Sequence, residues 1–315
     1  MTDAETAAQI QLVNQKIREG QVDAGVQRIL TLLARARREI LADVASTDWD
    51  RYALPQRLAA LDRQLEHFRV LALADLKAGM GQLWALASEQ TAEAAAAAGV
   101  EVAFHEIPTS LLQTLQDKAG QRISGLFNFA KDQLDRKITT ALLTGQSREN
   151  TIAAIGKVLE FGSTNKPEGL FGSISARARF IYRHEVSTLY AQAAEVRRQQ
   201  AGKYVPELKK VWAHDGNPKE PRPGHKLMHG QIRERDEDFQ DPLTGDELAY
   251  PRDPDADISA TANCTCSVFL WRESYGDVLD FIGGSSRGTI TREQDQYNPA
   301  NYVVPDRSVV GAGVQ

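Results

Sequence analysis

Cysteine is nearly absent from this chain, with two in 315 residues, at 264 and 266. A disulfide framework is therefore excluded, and alternate residues on one strand sit near the outer limit for bridging each other, so the pair reads as free thiols or metal ligands. Long apolar runs are missing too. No stretch approaches the ~18 uninterrupted apolar residues of a membrane span, and none is expected. The first ~20 residues lack the basic-then-apolar order of a secretory signal, which implies a cytosolic start. Charge is close to balance, with 37 Lys and Arg against 42 Asp and Glu and a net charge of −5. Such mild acidity argues against a dedicated duplex-DNA binder. The short signatures of familiar catalysis, HExxH, the P-loop and the dinucleotide fingerprint, are also absent. What is present, 42% hydrophobic and 25% charged residues, suffices to bury a core in one large or two modest domains.

Up to about residue 160 the apolar periodicity is helical. Val22, Val26, Ile29, Leu30, Leu33, Ile40, Leu41 and Val44 recur at threes and fours, which predicts one amphipathic helix from Val22. A second stripe, Leu54, Leu58, Leu61, Leu65, Phe68, Leu76, Met80 and Leu83, runs on through Ala92–Ala98 to a C-cap at Gly99. Unbroken, it spans about 44 residues, roughly 65 Å at the α-helical rise. A third stripe from Leu112 to Leu142 closes at Gly145, and Ser147 caps a short helix carrying Ile152, Ile155, Val158 and Leu159. The three glycines, Asn165 and Pro167 of 161–172 mark a boundary. One more helix follows, with Ala178, Ile181, Tyr182, Val186, Leu189, Tyr190, Ala193 and Val196 inward, ending at Gly202. Short strands come next: Leu208–His214, a turn at 215–218, and Cys264–Trp271. The fold class expected is α+β: a predominantly helical region over 1–165, a small α+β domain over 166–282, and an extended or disordered tail over 283–315.

Three groups of residues could carry chemistry. Cys264 and Cys266, two apart on a strand, point to one face, and His225 and His229, four apart, share a face if their segment is helical. Together they could hold zinc in a tetrahedral Cys2His2 site. Against this, CxC lacks the spacing of the common zinc modules, and buried histidine and cysteine also serve as ordinary core residues. Between Arg177 and Lys210 eight Lys and Arg face three acids, while 231–258 holds ten acids and three arginines. Such segments either attract each other or, for Arg177, Arg179, Arg183, Arg197 and Arg198, meet phosphate or nucleic acid.

At these residues the second half resembles the Mu F-like phage head morphogenesis family. The resemblance runs over roughly 150–270, in order through Arg183-His184-Glu185, Tyr190 and Ala193, Gly202, Trp212, Asp215, Arg222, His225, Leu227, Gly230, Phe239, Pro251 and Asn263-Cys264-Thr265-Cys266. Three positions depart from the family pattern: His184 stands where Thr is common, His229 where an acid is common, and Thr265 where Arg is common.

The resemblance implies a non-enzymatic virion protein in few copies, a minor capsid protein at the portal vertex and capsid interior, present in the host cytoplasm during assembly. Its implied partners are the portal protein and the major capsid or scaffolding protein, with non-specific contact to packaged DNA and a part in DNA ejection. The helical first half would dock, since long amphipathic helices bury apolar stripes on partners. Some relatives carry an appended toxin or enzyme domain, and the ~50 residues after Cys266 are too few for one. The alternative is a metal-dependent hydrolase using His225, Cys264 and Cys266, with Glu185 or Asp215 as general base.

Overall fold

The computed structural model describes residues 3–46, 54–97, 99, 104–105, 107–158, 174–214 and 222–283. Five helices come first: α1 (Asp3–Ser46), α2 (Leu54–Ala97), α3 (Thr109–Leu143), α4 (Arg148–Val158) and α5 (Ile174–Tyr204). Short elements follow: β1 (Lys209–Ala213), α6 (Pro223–Leu227), β2 (Ile232–Arg233), β3 (Phe239–Gln240), β4 (Glu247–Leu248), α7 (Ile258–Thr261), β5 (Ser267–Trp271), a 3-10 turn at Glu273–Tyr275, and α8 (Val278–Gly283). The fold is α+β. The stretch from 54 to 97 is one helix, and its expected cap is real: Gly99 takes φ +78° and its N–H donates to Ala96 O. Ser147 also caps as expected, its Oγ accepting from Asn150 N–H at 3.2 Å. The boundary expected at 165/166, the turn at 215–218 and the tail from 284 lie outside the described residues.

Two helices extend beyond their expected limits. α1 begins at Asp3, not near Val22, because polar Gln11, Asn14 and Gln15 share its buried stripe with Ala7, Ala8 and Leu12 and break the apolar signal. α5 passes Gly202 and ends at Tyr204; a Cβ on that glycine would lie 2.8 Å from Arg235 Cδ, so close packing, not helix termination, requires glycine there.

The chain folds into two compact units that do not follow chain order: residues 17–86 with 108–190, and residues 1–16 with 87–107 and 191–315. The first is helical. Val26, Ile29, Ile40, Leu65, Phe68, Leu76, Met80, Ile123, Leu134 and Ile155 are buried in it, the inward positions of amphipathic stripes. Tyr182 is buried among them, facing Gly25 and Gly79, where added Cβ atoms would each fall 2.2 Å from its Oη. That oxygen accepts from Arg28 Nη2 at 3.2 Å, and Arg28 Nε donates to Asp75 Oδ1 at 2.7 Å.

In the second unit an antiparallel sheet of order β2-β1-β5 pairs Lys209 with Trp271, Val211 with Phe269, Trp212 with Val268 and Ala213 with Ser267. Both its faces are covered, which is why 211–213 and 268–271 read as continuous apolar runs. Val211, Ala213, Phe269 and Trp271 pack with Ala7, Ala8, Leu12 and Phe281. Trp212 and Val268 lie on the opposite side, with Met228, Phe239, Leu248, Cys264 and Cys266. β5 is an edge strand, and Gln11 closes it: Leu270 N–H donates to Gln11 Oε1 at 2.7 Å, and Gln11 Nε2 donates to Leu270 O at 3.2 Å.

Candidate metal centre

Local sequence rules place the three candidate ligands. Pro223 stands in the first turn of α6, where its missing N–H costs nothing, with extended Arg222 before it, and the five-residue helix buries His225. Gly224 is obligatory here because a Cβ would meet both Asp241 carboxylate oxygens at 2.1 Å. Arg222 ties the segment to the neighbourhood of α7, donating from Nε to Ser259 O at 2.9 Å and from Nη2 to Ala262 O at 2.5 Å. Asp257 caps α7 by accepting from Ser259 N–H at 2.7 Å. Asn263 then takes φ +53°, a left-handed conformation that Asn tolerates, and turns the chain so that Cys264 N–H donates to Thr261 O.

The two cysteines thus precede β5 instead of belonging to it, since strand pairing starts at Ser267. Their sulfurs nevertheless converge. His225 Nδ1 is 3.5 Å from Cys264 Sγ and 3.7 Å from Cys266 Sγ, and one ligand atom from each of the three residues lies within 4.8 Å of the others. All three are buried, His225 at 3% exposure, Cys264 at 6% and Cys266 at 2%. Trp212 meets the His225 ring edge-on at a centroid distance of 5.1 Å.

The two thiols are perturbed in opposite directions. The hydrogen bond from Cys266, with help from His225 and Arg252, holds Cys264 well below the ordinary thiol range. Burial and the neighbouring Cys264 push Cys266 well above it. Arg252, itself buried with φ +66°, donates from Nε to Cys264 O at 2.6 Å. Two sulfurs beside an imidazole nitrogen are a ready donor set for a thiophilic cation, and the His/Cys/Cys group is compatible with a metal.

His229 does not join the three. α6 ends at Leu227, and His229 Nδ1 instead accepts the His214 N–H at 3.0 Å. Burial lowers the pKa of His229, and burial first, then His229, lowers that of His214 to about 4. Sequence reasoning assigned no role to His214 or Arg252. His214 was recoverable from strand alternation, while the left-handed turn that aims Arg252 leaves no signal in composition.

The other motif residues scatter. Glu185 is buried and accepts from Arg122 Nη1, and burial raises its pKa. His184 stacks on Phe180 at 5.6 Å, and Gly230 takes φ +81° against Leu279. Asp215 lies outside the described residues. Of the five arginines expected to meet phosphate, Arg183 pairs with Asp23 and Arg198 with Glu195. Arg197 donates to His105 O at 2.5 Å and lies over Phe104, while Arg177 lies over Phe129. Arg179 is exposed. Lys209 of the same basic segment pairs with Glu234 of the acidic one at 3.0 Å.

The family model described as Phage Mu protein F like protein matches residues 132–269, from within α3 to the middle of β5. Over that segment the chain is similar to Mu F-like proteins. None of the curated proteins or solved structures compared with it matches. The match supports a phage head morphogenesis protein, and among the described residues no helix is long and apolar enough to cross a membrane. The matched segment takes in His225, Cys264 and Cys266, so the buried group belongs to the Mu F-like part of the chain.

Proposed function

We propose that this Mu F-like protein is a minor capsid protein held in few copies at the portal vertex, facing the capsid interior and binding the portal and the major capsid or scaffolding protein during head assembly. The observation that carries the reading is the family match over 132–269. Virions lacking the protein should assemble aberrant or poorly infectious heads, and the protein should co-sediment with portal complexes. Normal heads of full infectivity from a deletion phage would sink the reading. Contact with packaged DNA, in this proposal, runs through phosphate attraction at exposed cations such as Arg179. Any DNA retention should then weaken steeply between low and moderate salt.

The buried His225, Cys264 and Cys266 act in this reading as a zinc-held brace, not as a reaction centre. The N-to-S separations of 3.5 and 3.7 Å are close to the edge of about 3.6 Å that a zinc tetrahedron with ordinary bond lengths would have. Thiolate-rich closed sites are structural, and the burial of all three groups leaves no observation favouring a hydrolase. Protein purified without chelator should carry about one zinc per chain, and less than about a tenth would end the brace.

A further inference from the structure

We propose that His214 is the fourth ligand of this site, so that zinc is held by His214, His225 Nδ1, Cys264 and Cys266. The proposal rests on the zinc brace proposed above and extends it to a full tetrahedral set of ligands. Three ligands leave a structural zinc ion one short of its tetrahedron. Strand alternation points to His214 as the missing one. β1 and β5 pair Trp212 with Val268 and end their ladder at Ala213 with Ser267, and the next residue on each side is His214 and Cys266.

Backbone bonding shows that the extended alternation continues through His214 although the ladder with β5 stops at Ala213. Trp212 N–H donates to Gln231 O and its carbonyl accepts from Gly230 N–H. Two residues on, the His214 N–H turns to the same side and donates to His229 Nδ1. A side chain at 214 therefore leaves the strand on the face of Trp212, which is the face packed with Cys264 and Cys266. His214 also feels the charges of Cys264 and His225, as neighbours of the site must.

The ring nitrogens of His214 and His229 both stand outside the group of three, and coordination by His214 requires its ring to turn toward the site. His229 Nδ1 is engaged by the His214 N–H, and Arg252 is a cation bonded to Cys264 O. Coordination by His214 would join the end of β1, the helix α6 and the turn before β5 through one ion.

The test uses the full chain with zinc, then cobalt(II) as a spectroscopic probe. Wild type should bind about one equivalent and give the intense visible bands of a four-coordinate ion, with charge transfer from two thiolates. His214→Ala should weaken zinc binding by more than about 100-fold, beyond what loss of an outer contact costs, and should shift the visible bands. His214→Cys should restore tight binding and raise the charge-transfer intensity about 1.5-fold, because a third thiolate enters the shell. The His214→Cys readout guards against a His214→Ala chain that merely misfolds. Unchanged affinity in His214→Ala, or cobalt charge transfer that stays at two thiolates in His214→Cys, would overturn the assignment of His214 while leaving the three-residue brace intact. Wild type that binds neither ion would remove the brace itself.

Discussion

At the scale of single residues, the sharpest electrostatic conflict outside the cysteine pair is Glu185, a carboxyl in the helical unit with Arg122 as its ion-pair partner. Burial raises its pKa more than Arg122 and Lys118 lower it. A carboxyl whose folded pKa lies above its ordinary value of about 4.5 stabilises the fold fully below that value and loses this contribution as pH rises through the folded pKa. Comparing wild type with Glu185→Gln by denaturant titration at pH 4 and pH 7 should show wild type falling behind the variant at the higher pH. A constant difference across that window would mean the Arg122 pair offsets the burial cost. Gly224 offers a second test. Alanine there would drive a methyl group into the Asp241 carboxylate, which already accepts from Leu243 N–H at 2.8 Å, and α6 must shift with His225 on it. Zinc affinity in Gly224→Ala should drop about tenfold with helical content unchanged by circular dichroism. The site was legible in part. His225, Cys264 and Cys266 stand out by chemical type, but which histidine joins the thiols depends on where a five-residue helix stops, and composition does not encode that.

At the scale of elements, the helical stripes were readable wherever the inward positions are apolar, as in α2, α3 and α5. They became unreadable where polar groups are buried with a partner, as at Gln11. Replacing Gln11 by Ala leaves both the N–H and the C=O of Leu270 without their side-chain partner, at about 1–3 kcal/mol. Thermal unfolding should report that loss, and amide exchange at Leu270 should accelerate. The start of β5 was misread for the opposite reason. The run from Cys264 to Trp271 is rich in apolar residues throughout, yet the positive φ of Asn263 and the Cys264 N–H bond to Thr261 O make its first residues a turn. Tyr182 gives a paired prediction. Gly79→Ala gains about 1 kcal/mol of helix propensity but meets the Tyr182 hydroxyl at 2.2 Å with the ring carbon behind it at 3.3 Å. Gly25→Ala meets ring carbons at 2.4 Å as well. Both should destabilise by about 1–3 kcal/mol. Tyr182→Phe should rescue Gly79→Ala and fail to rescue Gly25→Ala, as equilibrium unfolding of the double variants will show.

At the scale of the whole molecule, two compact units are each assembled from separated stretches, and α1, α2 and α5 contribute residues to both. A boundary drawn along the chain by composition cannot find such units, because glycine and proline mark loops, not spatial neighbours. Removal of residues 1–16 should therefore damage the part of the protein farthest away in sequence. It strips Ala7, Ala8 and Leu12 from the core that holds Phe269, Trp271 and Phe281. The truncated chain should expose that core to a hydrophobic dye and lose tryptophan burial, while the far-ultraviolet signal of the helical unit persists.

The clasp between Gln11 and Leu270 also sets an order of events during synthesis. Gln11 must wait, unpaired, until β5 has been translated some 250 positions later, which is the kind of distant closure that slows folding. A message cut short before codon 267 would yield a product with its opening helix still carrying an uncovered apolar stripe, a substrate for chaperones and proteases and not a partly working head component.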